Sequence, residues 1–215
     1  FDVVTGHMCA DGRALLNGEP AKRKYCGLVD TRFRLNYNFY NAPAMKIEDY
    51  VRAERKVVAG VSFQVSAPTG EYQEKYVFNA GANRWFFKPE IGISIPYNNW
   101  EVDFSLGVKF FTNNDELQRT KTFKQDPVYN LQMHIVYDLA PGRWIAFNSN
   151  YFGGGDTFVD GDKSAVKEEN FRAGVTYSMA ISKQQSIKVS ANTGVTTRLG
   201  NDSNAFAIAY SYRWQ

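Results

Sequence analysis

The sequence predicts an all-β fold, a transmembrane antiparallel up-and-down β-barrel. Three observations predict it. Apolar and polar residues alternate with period 2 in segments of roughly 10 to 14 residues, longer than the strands of soluble sheets. Tight turns alternate with long polar connections, the habit of an outer-membrane barrel. Aromatic residues, 15% of the chain with 13 Tyr and 16 Phe, gather near both ends of the apolar faces. The mean hydropathy of −0.42 and the lack of any apolar run of roughly 18 residues exclude spanning helices. They leave a barrel open, because its lipid-facing residues occupy only alternate positions. With 215 residues and no low-complexity stretch, residues 1–215 read as a single domain.

Taken in order, Phe1–Gly6 looks like the end of a strand whose start lies before the chain. From Gly27 to Tyr40, Phe33, Leu35, Tyr37 and Phe39 share one face and Arg32, Arg34, Asn36 and Asn38 the other. Lys56–Ala67 repeats the pattern, with Val57, Ala59, Val61, Phe63 and Val65 opposing Lys56, Gly60, Ser62, Gln64 and Ser66. Phe87, Ile91, Ile93 and Ile95 then oppose Lys88, Glu90, Gly92 and Ser94. After the tight "PYNN", Trp100, Val102, Phe104, Leu106, Val108 and Phe110 oppose Glu101, Asp103, Ser105, Gly107 and Lys109. Five further segments, Val128–Leu139, Trp144–Phe152, Phe171–Ala180, Ile187–Arg198 and Ala205–Trp214, bring the visible count to about 10 strands. Pro89 lacks a ladder donor, so a bulge or local break is expected there.

The connections "PYNN", "APG" and "SKQQ" are short, whereas His7–Tyr25, Pro68–Asn83, Asn113–Asp126 and Gly153–Glu169 are long and polar. One connection on the short side, Asn41–Arg55, breaks the rule; Met45, Tyr50 and Val51 suit one stripe of a short helix against that rim, or an ordinary amphipathic connection. Phe39, Trp100, Tyr137, Tyr177, Tyr212 and Trp214 fall near the short-turn rim, and Phe87, Phe110, Tyr129, Tyr151 and Phe171 near the other. Two such girdles fit a bilayer; a soluble sandwich buries its aromatics at mid-strand. The apolar face therefore meets lipid and the charged face lines a wet interior, and the sheet must close because lipid cannot satisfy a bare edge.

Charge and motif content narrow the chemistry. The 25 basic and 22 acidic residues are dispersed, without the basic block that tracks a phosphate backbone, so no nucleic-acid partner is expected. His7 and His134, the two histidines, do not combine with the cysteines at a zinc spacing, and no metal or other cofactor is expected. "GGGDTFVDGDKSAVKEE" fails the calcium-loop pattern, since Phe158 and Lys167 occupy ligand positions counted from Asp156. "GVSFQ" lacks the last glycine of a nucleophile elbow, and His134 has the parity of a solvated interior residue. The chain is not expected to be an enzyme. Cys9 and Cys26 flank a long loop between antiparallel neighbours, where a disulfide would contribute roughly 3 kcal/mol in an oxidising compartment; two unpaired thiols are the alternative.

Several motifs together are specific: "NAPAM" (Asn41–Met45), "PTGEY" (Pro68–Tyr72), "NAGANRWFFKPEIG" (Asn79–Gly92), "FFTNND" (Phe110–Asp115), "QDPVYNLQMHIVYDL" (Gln125–Leu139), "NYFGGG" (Asn150–Gly155), "VDG" (Val159–Gly161) and "SIKVSANTGVTTRLGND" (Ser186–Asp202). In that order they resemble the phenol-degradation meta-pathway family of outer-membrane transporter-like proteins, over nearly the whole chain. The resemblance implies the outer membrane of a Gram-negative bacterium and a longer N-terminus. Two further strands there would make twelve in all. It carries over no established binding residue. The terminal "YRWQ" departs from the usual last aromatic by placing Trp214 penultimate.

By parity the lumen-lining residues are Arg32, Arg34, Lys56, Lys88, Glu90, Glu101, Asp103, Lys109, His134, Asp138, Arg172, Lys188, Arg198 and Arg213, with Asp2 and Asp30 also inward. Cations outnumber anions on this face. Two functions remain: a channel or transporter for small solutes, hydrophobic or aromatic by the family resemblance, in contact with outer-membrane lipid; or a structural or adhesive barrel whose outer loops bind a partner, with its interior charges fully paired.

Overall fold

A computed structural model describes residues 1–16, 19–45, 49, 53–164, 169–197 and 204–213, of which 12–16, 19–23 and 195–197 are described by their backbone alone. The strands, in chain order, are β1 (Asp2–Val4), β2 (His7–Leu16), β3 (Glu19–Leu28), β4 (Thr31–Tyr40), β5 (Val58–Ala67), β6 (Phe86–Tyr97), β7 (Trp100–Phe111) and β8 (Asn114–Leu117). They continue with β9 (Lys121–Gln125), β10 (Val128–Ala140), β11 (Arg143–Gly154), β12 (Thr157–Val159), β13 (Asp162–Lys163), β14 (Asn170–Ala180), β15 (Gln185–Thr197) and β16 (Ala205–Tyr212).

Ten of them form one antiparallel sheet in the order β1-β4-β5-β6-β7-β10-β11-β14-β15-β16. Each neighbour in this order is the next strand of the meander, apart from excursions on the long-loop side. The alternation read from sequence thus follows the real wall. The two-residue turn Asn98–Asn99 joins β6 to β7, with Asn98 at a φ of 54°, a conformation that asparagine tolerates better than most residues. Among the described residues no ladder joins β1 to β16, so the wall has two edges there.

The long connections are not structureless. β2 and β3 form a hairpin above the wall, and Cys9 faces Cys26 directly across it, joined by a disulfide. The segments 113–126 and 153–169 contain β8, β9, β12 and β13, which make a separate four-stranded sheet. β8 pairs with β9 inside the first loop and β12 with β13 inside the second, and the pairing of β9 with β12 joins the two loops through their backbones. The helix expected over Asn41–Arg55 falls largely on residues 46–48 and 50–52, outside the described residues, as do Arg198 and Trp214.

Pro89 behaves as its chemistry requires. β6 and β7 pair at Phe86↔Phe111 and Phe87↔Phe110, skip Lys88 and Pro89, and resume at Glu90↔Gly107 in the same register. The missing N–H opens the ladder without a bulge.

The two faces differ as expected. Leu35, Phe63, Ile91, Leu106, Phe147, Val175 and Ile208 are all exposed on one side, and a face this apolar is stable only against hydrocarbon. Trp100 and Tyr137 pack at the short-turn end with ring centroids 4.6 Å apart, and Trp85, Phe87 and Phe63 stack at the other. From Trp100 to Phe110 the rise is about 33 Å along the strand, or about 25 Å of height at the usual barrel tilt, the thickness of an outer-membrane apolar band.

Candidate functional site

The candidate site is the polar face of the wall. Along β7 its inward row reads Glu101, Asp103, Ser105, Gly107, Lys109 and Phe111, acidic near the short turns and cationic and aromatic near the loops.

At mid-height one carboxylate organises the face. Glu90 pairs with Lys88 at 2.6 Å and with Arg34 at 2.8 Å, and its side chain is only 7% exposed. Lys88 and Glu90 lie two apart on β6, so the strand's period places them side by side on one face. Lys88 Nζ also donates to Asn130 Oδ1 at 2.7 Å, Gln132 Nε2 donates to the same oxygen at 2.6 Å, and Ser62 joins Arg34 at 3.2 Å. Asn130 and Lys88 stand on β10 and β6, with β7 between them. Gly107 makes the crossing feasible. A Cβ there would lie 2.9 Å from Lys88 Cε and 3.2 Å from the Pro89 carbonyl oxygen, so a larger residue would push the lysine off its track.

Near the short-turn rim, Arg55 donates to Glu101 Oε2 at 2.9 Å and to Asp138. Burial alone would lower the Arg55 pKa, but the charges of Glu101 and Asp138 and the hydrogen bonds to both outweigh it and hold the value above its usual level. This connection thus reaches from the β4–β5 side across β6 to β7 and β10. Asp103 accepts from Ser94 and stands opposite His134 in the ladder. His134 Nδ1 lies 2.8 Å from Asn148 Oδ1, and Asn148 donates to Thr176 at 2.8 Å. Lys188 sits 5.5 Å from the Trp144 ring centroid.

Several residues read from parity lie elsewhere. Lys56 precedes β5 and lies 3.9 Å from Glu54 of the same connection, so it belongs to the rim. Arg213 follows β16, its backbone N–H donating to the Gln184 carbonyl. Arg172 faces inward on β14, paired in register with Asn150 and Gly194. Asp30 is no lumen residue: it lies between β3 and β4, buried, and its carboxylate accepts from the N–H groups of Gly70 and Ala82, each at 2.9 Å. Gly70 and Gly81 cross so closely that a Cβ on either would come within 2.7 Å of the other's backbone. That contact explains both glycines in "PTGEY" and "NAGANRW". Arg55, missed by parity because it lies in a connection, was signalled only by acidic residues on the facing rim.

The family model described as "Putative MetA-pathway of phenol degradation" matches residues 28–212. The chain belongs to this family. A solved structure similar to it is the COG4313 outer membrane channel from Pseudomonas putida F1, at 17% identity and a TM-score of 0.75, the match covering 98% of this chain and 75% of that one. No curated protein matches. The likeness is one of fold, that of an outer-membrane β-barrel, and it agrees with the exposed apolar face. The fold and the family match together agree with an outer-membrane location in a Gram-negative bacterium.

Proposed function

We propose that this family member is a narrow outer-membrane channel for small solutes, with a preference for anions. The observation that supports it best is the inward face, where polar groups run from one rim to the other while the opposite face is apolar. Among the described inward residues, Arg32, Arg34, Arg55, Lys88, Lys109, Arg172 and Lys188 outnumber Asp2, Glu90, Glu101, Asp103 and Asp138, which supports a net positive lumen. Among the described residues β1 and β16 are not paired with each other, and a wall closed with two more strands would be a twelve-stranded barrel of intermediate bore. Aromatic and hydrophobic solutes fit the family association. His134 is hydrogen-bonded to the side-chain amide of Asn148, and the reading assigns it no catalytic step.

Planar-bilayer recordings with the purified protein test this. A steady conductance whose reversal potential favours chloride supports the reading, and no conductance in any salt contradicts it. The structured long connections, a disulfide-closed hairpin and a separate four-stranded sheet, favour a second reading in which the wall is closed and the loops hold an outside partner. Zero permeation of every small solute would support that one.

A further inference from the structure

We infer that the loop-side end of the lumen is a binding site for aromatic carboxylates, the ring held by Phe86 and Phe111 and the carboxylate by Arg32. This rests on the channel reading, since the site lies on the inward face. Arg32, Ser66, Phe86 and Phe111 form one row across β4, β5, β6 and β7. The two rings meet edge to face with centroids 6.4 Å apart. Cations surround them: Arg32 lies 5.8 Å and Lys109 5.1 Å from the Phe86 centroid, and Lys109 lies 5.7 Å from that of Phe111. Arg84 sits 4.3 Å from Phe111 and 4.8 Å from Phe123 of β9, and donates to Gln125 at 2.5 Å, so it braces the site from above.

Arg32 brings positive charge beside an apolar surface, and among the described residues it forms no ion pair. Arg32 is exposed, whereas the two rings are half-buried. A cation would be repelled here. A neutral aromatic would gain ring contact alone, and a small anion such as acetate would gain charge alone. An aromatic acid gains both, because its ring can stack at the usual aromatic spacing while its carboxylate takes a charge-assisted hydrogen bond from the guanidinium.

The test uses the full-length protein in detergent, titrated calorimetrically with benzoate, acetate and benzyl alcohol. Benzoate is expected to bind at least about tenfold more tightly than either, and Arg32→Gln and Phe86→Leu each to weaken it about fivefold, the loss of one cation–aromatic or stacking contact. Lys183→Gln, in a turn on the opposite rim, should leave it unchanged. Equal affinity for the three probes, or benzoate binding untouched by both Arg32→Gln and Phe86→Leu, overturns the site. Bilayer currents separate the two readings: a conducting protein indifferent to benzoate sinks the site alone, and a silent protein that still binds benzoate sinks the channel and supports the site.

Discussion

Replacing Glu90 with Gln removes the carboxylate shared by Lys88 and Arg34 while keeping its shape. Lys88 is then an ammonium with a side chain only 12% exposed, still donating to Asn130 Oδ1 but with no carboxylate beside it on its strand. Breaking a buried pair by deleting one member costs about 3–5 kcal/mol. Arg34, 44% exposed, can turn to lumen water, and its share is discounted to about 1 kcal/mol or less. Glu90→Gln should therefore lower stability by about 3–4 kcal/mol, whereas Lys88→Met should cost less, about 1–2 kcal/mol, because Arg34 still neutralises Glu90. In the double variant the stranded ammonium is gone, so the cycle should show a favourable coupling of about 2 kcal/mol. Urea unfolding in detergent, followed by heat-modifiable gel migration, reads all four proteins. Additive single and double variants would refute the claim that one carboxylate organises the mid-lumen.

Other perturbations follow from the same contacts. Gly107→Val should disrupt the Lys88–Asn130 crossing and cost about 1–3 kcal/mol, the penalty for a broken hydrogen bond to a charged group, while Gly107→Ala should cost less; equal stability of all three proteins would deny the crossing. Asp30→Ala strands the Gly70 and Ala82 N–H groups and should make the 68–85 loop readily cleaved by protease, with no change in barrel unfolding beyond about 1 kcal/mol. Arg55→Ala should release the connection from Glu101 and Asp138 and increase current noise from the short-turn side. The Arg55 charge is raised in pKa and present at every pH below its ordinary value, so alkalinity up to that range should not mimic the substitution. Reduction of the Cys9–Cys26 bond should loosen the hairpin in hydrogen exchange and leave the wall's protection unchanged.

Much of the wall was legible because period 2 has a single physical meaning: Phe104 and Leu106 must go one way if Asp103 and Ser105 go the other. Pro89 announced its break through a missing donor. The Lys88–Glu90 pair was also readable, since residues two apart on a strand are neighbours. What sequence concealed depends on contacts between distant segments. Asp30 has inward parity only if β4 began earlier than Thr31, and its true partners, Gly70 and Ala82, lie in a loop whose path no periodicity fixes. Arg55 and Lys56 are adjacent, yet Arg55 reaches the lumen and Lys56 does not, because β5 starts only at Val58. Polar loops hid the second sheet for the same reason: its pairing of β9 with β12 joins segments far apart in the chain, neither long enough to show alternation alone.

The central claim is that alternate residues of each strand face lipid and enclosed water. Single cysteines can be placed at neighbouring positions of β7, Ser105→Cys and Leu106→Cys, in protein reconstituted into liposomes, because among the described residues no free thiol competes. A charged, membrane-impermeant thiol reagent should label position 105 and spare position 106. Equal labelling of both, or labelling of 106 alone, would contradict the account.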